Sequence, residues 1–226
     1  MTQKILTLLR RLLSRLGHSN EFDAARCSRS SRKSKLILVF CSLNRIFAVV
    51  MKSFKDLVQL RRSHRKFTDE PVDAEHVRLI MRAALMAPTS KSGRTWQFFV
   101  VDDRSVLERL ADAKSMGSQF LKGAPLAIVV AGDGSINDCW IEDCSIAAIS
   151  MQYQAEELGL GSCWIQMRGR GLTDGTSAQT VIQGILGLPE NISVLCVIAL
   201  GHPADERKPQ NEDRLKWENV RIVSSE

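Results

Sequence analysis

The sequence lacks the short motifs that identify most hydrolases, nucleoside triphosphatases and zinc enzymes. It contains no G-x-x-x-x-G-K-[ST], no G-x-S-x-G and no H-E-x-x-H. Its four histidines are scattered, and none of its six cysteines forms a C-x-x-C pair. This spacing predicts free thiols and no metal site.

Excess basic charge is absent from most of the chain. The formal net charge is +6, but residues 1–50 contain ten Lys and Arg and only two acids, out of 31 and 25 in the whole sequence. Residues 51–226 are therefore slightly acidic and predict no surface for nucleic acid. A chain of 226 residues has room for one ordinary domain and an appendage.

Residues 1–50 predict a basic extension that is not part of the fold. A basic amphipathic helix over 4–16 is followed by a Ser- and Arg-rich stretch and two short apolar runs. Arg45 separates these runs, which argues against both a secretory signal and a membrane span. An organellar transit peptide fits the composition better. A membrane-surface or nucleic-acid arm is a further alternative.

Upstream translated sequence is the interpretation of 1–50 that we prefer. Met51 stands directly before a helix start, where Ser53 can cap the helix and Asp56 favours its first turn. We therefore expect the folded domain to comprise residues 51–226 and to be cytoplasmic.

Hydrophobic periodicity in the domain predicts helices and strands without strict alternation. The longest helix, about 138–158, is apolar on almost every side, which predicts burial all round and a dimer core as readily as a monomer core. Together the elements indicate an α+β fold, or an irregular α/β layer, around a sheet of about four strands. Further helices are predicted near 54–61, 73–87, 106–111 and 177–186, and strands at 96–101, 126–131, 162–167 and 192–200.

Three polar segments are candidates for binding chemistry. The stretch Arg61–Arg65 combines guanidinium groups with a hydroxyl, which suits phosphate oxygens. The loop within Ala87–Phe98 is dense in hydrogen-bond donors and leads into an aromatic strand. The turn Gly159–Trp164 brings backbone amides and an indole to a strand start, and its helix-then-strand order excludes a dinucleotide fingerprint. Each segment alone also fits an ordinary helix end, loop or core tryptophan.

These segments, in this order and with a long buried helix before the third, resemble the nitroreductase family over essentially all of 51–226. The resemblance implies an intertwined homodimer with FMN at its interface, and a central mixed, largely antiparallel sheet of about four or five strands flanked by helices. It implies NADH or NADPH as hydride donor and a small-molecule electron acceptor, such as a nitroaromatic or a quinone, reduced by a ping-pong mechanism. Because the flavin carries the chemistry, no catalytic residue is assigned. The alternative is a flavin- or nucleotide-binding module without turnover.

The resemblance also assigns cofactor contacts. The first segment is expected at the FMN phosphate and ribityl chain, the loop at the ribityl chain and flavin, and the turn against the isoalloxazine ring. A basic residue of the C-terminal tail is expected to complete the phosphate site. The residues so implied are Arg61, Arg62, Ser63, Arg65, Ser90, Ser92, Arg94, Cys163, Trp164 and Lys208. Ser92, Arg94 and Thr95 depart from the Asn, Gln and Pro that are usual in the family.

Overall fold

The computed structural model describes residues 52–224, so the predictions for the N-terminal extension and for Met51 lie outside the described residues. Helices and strands match the predicted order closely. In chain order they are α1 (Phe54–Leu60), α2 (Ala74–Leu85), β1 (Trp96–Val101), α3 (Arg104–Ala111), β2 (Leu126–Asp133), α4 (Trp140–Glu157), β3 (Gly161–Gln166), α5 (Ala178–Leu186) and β4 (Ile192–Gly201).

The four strands form one sheet in the order β1-β2-β4-β3, and every neighbouring pair is antiparallel. Ser63 adds an isolated parallel bridge to Ser162, at the outer edge of β3. Strand β3 is thus an edge strand, and within residues 52–224 its outer side carries only this short pairing. The α+β fold and the sheet of about four strands agree with the prediction.

Helices cover both faces of the sheet. Helices α2 and α4 pack on one face around Ile80, Met151 and Ile198, whereas α3 and α5 cover the other around Leu110, Val129 and Ile182. Residues Leu126 to Asp133 of β2 are all buried, which explains their near-continuous apolar sequence. No helix among residues 52–224 combines the length and apolar character that a membrane span requires.

Local signals explain most element boundaries. Ser53 and Asp56 form the predicted cap of α1, because each side chain accepts a hydrogen bond from the other's backbone N–H. Not every apolar side chain of α2 and α4 is covered within one chain, since Leu85 is 59% exposed and Ile146 is 39% exposed. A single chain therefore leaves part of the apolar surface of α4 uncovered.

Candidate functional site

The segment Arg61–Thr68 and the start of β3 are joined directly by backbone contacts. The N–H of His64 donates to the carbonyl of Ser162 at 3.0 Å, beside the Ser63–Ser162 bridge. A Cβ on Gly161 would lie 3.0 Å from Cβ and Cγ of His64, so glycine at this position permits the close approach. The first and third predicted segments are therefore parts of one structure, which we call the basic end.

The segment's other side is fixed by the chain that follows β4. Thr68 N–H donates to the carbonyl of His202 at 2.9 Å, and Ala204 N–H donates to Lys66 at 3.0 Å. Buried His64 contacts Asp205 through Nδ1 and Oδ1 at 3.1 Å. Partial burial raises the pKa of Asp205, but the hydrogen bond from His64 and the charge of Arg207 outweigh it, so the net shift is downward.

The outer edge of β3 presents unpaired backbone donors. Because Ser162 directs its carbonyl outward to His64, alternation along an antiparallel strand directs the N–H and C=O of Trp164 and Gln166 outward too. No described residue accepts a hydrogen bond from these two N–H groups. The Trp164 indole N–H donates to Oε1 of Gln166 at 3.0 Å, which ties the two side chains together. This edge can pair with a flat ligand that carries acceptors along one side.

Positive charge converges on the same edge. Burial raises the pKa of the Cys163 thiol, and Arg65, Ser63, Arg61 and Lys114 all oppose that rise through their charges or hydrogen bonding. The geometry agrees, since Ser63 is bridged to Ser162 and Lys114 Nζ donates to the carbonyl of Gln166 on the same edge. The thiol itself is buried in the core, which leaves the chain around Cys163, rather than its side chain, available to a ligand.

A basic cavity of about 900 Å³ adjoins Arg61. The Arg62 guanidinium donates to the backbone carbonyl of Lys208 at 2.6 Å, so it holds the C-terminal tail against α1. Lys208 lines the cavity, and so does Arg214, which was not among the residues expected at the site. The only feature of the sequence that could have indicated Arg214 is that it is a basic residue in the C-terminal tail. The basic side chains lining this cavity are Lys55, Arg61, Arg62, Lys208 and Arg214.

The polar loop is held by a single buried carboxylate. Asp143, in the first turn of α4, accepts a hydrogen bond from the Ser90 N–H at 2.8 Å and another from Nδ2 of Asn137 at 2.9 Å. Asp143 is only 2% exposed. Sequence reasoning missed this residue because it read as part of an apolar helix. We call residues Thr89–Thr95 the loop end.

The backbone of the loop end is strained. Lys91, Ser92 and Arg94 have φ of 51°, 54° and 49°, the left-handed region that ordinary residues rarely adopt. All three side chains are exposed. Oγ1 of Thr95 and Nε1 of Trp96 are buried without a hydrogen-bond partner among the described residues. Strain concentrated in a polar exposed loop is typical of functional sites.

The two ends lie at opposite edges of the molecule. The loop leads into Trp96, which is in register with Gly132 and, through it, Ser193 of β4. The basic end is in register with Gly201, at the other terminus of β4. At about 3.3 Å per residue, the positions on β4 that mark the two ends are roughly 25 Å apart along the strand. One chain brings together the predicted residues of the first and third segments and Lys208, but not Ser90, Ser92 and Arg94.

Known proteins resemble this chain closely. The sequence model described as Nitroreductase family matches residues 58–117 and 112–202. A solved structure of an FMN-dependent nitroreductase from Clostridium difficile is 45% identical, with a TM-score of 0.73 over 75% of this chain and 98% of that one. A protein of Archaeoglobus fulgidus, provisionally named an NADH dehydrogenase/NAD(P)H nitroreductase, is 33% identical over 74% of this chain and its own full length. The FMN reductase [NAD(P)H] of Bacillus subtilis is 28% identical over 71% of this chain and 69% of its own length.

Proposed function

This chain belongs to the nitroreductase family, and from that premise we propose that it reduces nitroaromatic, quinone or related small acceptors in a ping-pong cycle. It is an NAD(P)H-dependent oxidoreductase that uses FMN as cofactor. The observation that carries the proposal is the outer edge of β3, where backbone N–H groups without a partner among the described residues follow the Ser63–Ser162 bridge that holds the Arg61–Arg65 segment.

The residues of the basic end suit FMN chemically. A phosphate would be held by the guanidinium groups and ammonium that line the cavity beside Arg61, including Lys208 and Arg214. Acceptor atoms of the isoalloxazine ring would pair with the outward N–H groups of Trp164 and Gln166. Arg62 already binds the tail carbonyls, so its role is to hold the tail that carries Lys208.

FMN, when bound, supplies the redox chemistry by taking hydride from NAD(P)H and passing electrons to the acceptor. The chain's own residues bind and orient it. The backbone pairing of His64 with Ser162 fixes the basic segment against β3, and the His64–Asp205 contact fixes the chain after β4 against the same segment. No side chain of this arrangement is required to transfer a proton.

We further propose that a homodimer completes the site. FMN is shorter than the roughly 25 Å that separates the two ends of one chain. A second copy can bring its loop end, with Ser90, Ser92 and Arg94, to the basic end of the first. A two-fold axis would then create two equivalent sites, each shared between subunits.

Exposed apolar surface supports a dimer. Phe54 on α1 and Ile146 on α4 are 67% and 39% exposed. The tail contributes a further set of exposed apolar side chains: Leu215, Trp217, Val220, Ile222 and Val223. Surfaces of this kind usually mark interaction sites in soluble domains.

The first test is the visible absorption spectrum of the purified full-length chain before and after anaerobic NADH or NADPH. We expect an oxidised-flavin spectrum that bleaches. Arg61→Gln should weaken FMN binding at least tenfold, whereas Arg78→Gln, which removes an exposed arginine paired with Glu75, should not. Protein that cannot be reconstituted with FMN would end the proposal. Bound flavin that NAD(P)H does not reduce would indicate the binding module instead.

The shared site has its own test, by mixing two inactive variants. Arg65→Glu damages the basic end and Arg94→Glu damages the loop end. If each site joins two subunits, unfolding and refolding the pair together should restore up to about a quarter of the FMN sites, since half of the dimers are mixed and each mixed dimer has one intact site. A site built within one chain would recover nothing. The dimer itself is checked by sedimentation of the full chain.

The start of the domain at Met51 and a cytoplasmic location stay predictions. The capping box at Ser53 directly follows Met51, which supports a start there. Intact mass of the protein isolated from its native source decides the first point, because a chain that retains residues 1–50 contradicts it. Fractionation of the same cells decides the second.

A further inference from the structure

Lys114 is a buried cation that has no carboxylate partner among the described residues. Its side chain is buried, and its Nζ donates one hydrogen bond, 2.9 Å long, to the backbone carbonyl of Gln166. Within residues 52–224 no Asp or Glu forms an ion pair with it. Its charged neighbour is Arg170, which has the same sign. A buried ammonium group that uses only one of its three N–H donors is unfavourable unless an anion binds beside it.

The position of Lys114 points to the identity of that anion. The Gln166 carbonyl that it contacts lies on the outer edge of β3, next to the outward N–H of the same residue. Lys114 also acts on the Cys163 thiol together with Arg61 and Arg65, which are two of the predicted cofactor residues. The ammonium group therefore lies on the outer edge of β3, the same edge whose start belongs to the basic end.

The electrostatic surroundings of Lys114 favour pairing with a ligand. Burial lowers the pKa of Lys114, and the charge of Arg170 lowers it further. Both effects disfavour the ammonium form, and a negative charge placed beside Nζ would reverse them. Oxidised flavin has a neutral ring system, whereas the reduced ring carries negative charge near neutral pH. Lys114 can thus distinguish the two redox states of the cofactor.

We propose that Lys114 is the counter-ion of the reduced FMN ring, and that it favours reduced over oxidised cofactor. This inference rests on the proposed function, since it requires FMN at the edge of β3. The hydride, which carries both electrons, comes from NAD(P)H, which leaves as NAD(P)⁺. Lys114 gains and loses no proton in this role, because it contributes only charge.

The experiment compares Lys114→Met with the unmodified full chain by a spectroelectrochemical titration of bound FMN. We expect the ratio of the dissociation constants of reduced and oxidised FMN to rise about tenfold, which is about 30 mV in midpoint potential for a two-electron couple. Lys114→Arg, which keeps the charge, should retain most of the original potential. Lys122→Met is the matched control, because it removes an exposed lysine that pairs with Asp112.

Stability of the apoprotein gives a second, independent measurement. Replacing a buried unpaired ammonium by methionine should raise the urea midpoint of the apoprotein or leave it unchanged. Equal weakening of both redox states in Lys114→Met, or an unchanged potential, would overturn the role of Lys114 while leaving FMN binding intact. An unmodified chain that binds no FMN would instead overturn the proposed function and this inference with it.

Discussion

The basic end and the loop end are built in opposite ways. At the basic end, backbone hydrogen bonds join the extended segment before α2 to β3, through His64 and Ser162, and to the chain after β4, through Thr68 and His202. At the loop end, left-handed residues are held mainly by one buried carboxylate, Asp143. The first is therefore an extension of the sheet, whereas the second is an irregular loop on the N-terminus of a helix.

This difference suggests that the two ends have different roles. A sheet edge offers a fixed row of donors and a place for concentrated positive charge, which suits a cofactor that stays bound. A strained, exposed loop is easier to reshape, which suits a surface that meets a second subunit. The following substitutions separate the two ends, in order of decreasing expected effect.

The largest effect is expected for Asp143→Ala at the loop end. The change leaves the Ser90 N–H and the Asn137 amide without their buried acceptor, which should lower the free energy of unfolding by about 3 kcal/mol. Urea unfolding measures this loss. Glu142→Ala, which removes the exposed carboxylate next in the chain, is the control and should change stability little. Equal losses in both variants would show that Asp143 is not what holds the loop.

The next effect is expected at the basic end, for Gly161→Ala. The new Cβ would lie 3.0 Å from His64 and 3.2 Å from Pro203, which should cost about 2 kcal/mol and shift the Arg61–Arg65 segment. We expect FMN affinity, measured by fluorescence titration, to fall about tenfold.

Gly159→Ala provides the contrast for this substitution. Gly159 has φ of +75°, but no atom lies within 4 Å of the position that a Cβ would take. The Gly159→Ala variant should therefore lose stability from backbone strain while keeping its FMN affinity. If both glycine variants lose FMN equally, close packing against His64 is not what positions the segment.

Sequence predicted the elements of the fold better than the loop end. Strand β1 begins and ends where the aromatic and β-branched residues do, because that composition fits a pleated surface. Helix α4 was predicted to within two residues at each end. Glycine takes positive φ more readily than any other residue, yet Gly93 has φ of −65° and its neighbours take the left-handed conformation instead. Such a choice depends on tertiary contacts.

The residues that could not be predicted from the sequence were missed for the same physical reason. Asp143 contacts Ser90 across 53 residues, and Lys114 contacts Gln166 across 52. In the sequence alone, Asp143 and Lys114 each look like an ordinary polar residue on or beside a helix. Only the sheet register brings their partners within reach. The ionic and hydrogen-bonding character of the Arg61–Arg65 segment, by contrast, was local in sequence and could be predicted.

A smaller effect is expected for Asp205→Asn at the basic end. At neutral pH the variant should be less stable by about 1 kcal/mol, because the charge-assisted hydrogen bond with His64 is weakened. The folded pKa of Asp205 is lowered, so this contribution is complete above the unfolded value of about 3.9 and is lost as the pH falls through the folded pKa. Urea unfolding at a series of pH values should therefore show the two proteins converging in acid. A gap that persists at low pH would mean that the charge of Asp205 is not the cause.

The smallest effect is expected at the loop end, as the difference in stability between glycine and alanine at position 91. The sign of this difference tests the strain of the loop. At most positions glycine is less stable than alanine by about 0.5–1 kcal/mol, since it loses more conformational freedom on folding. Lys91 has φ of 51°, where glycine avoids the steric cost that alanine retains. Lys91→Gly should therefore be more stable than Lys91→Ala by about 0.5 kcal/mol in thermal unfolding, although both remove the same charge. The usual order, with alanine more stable, would mean that the loop relaxes out of the left-handed conformation in solution.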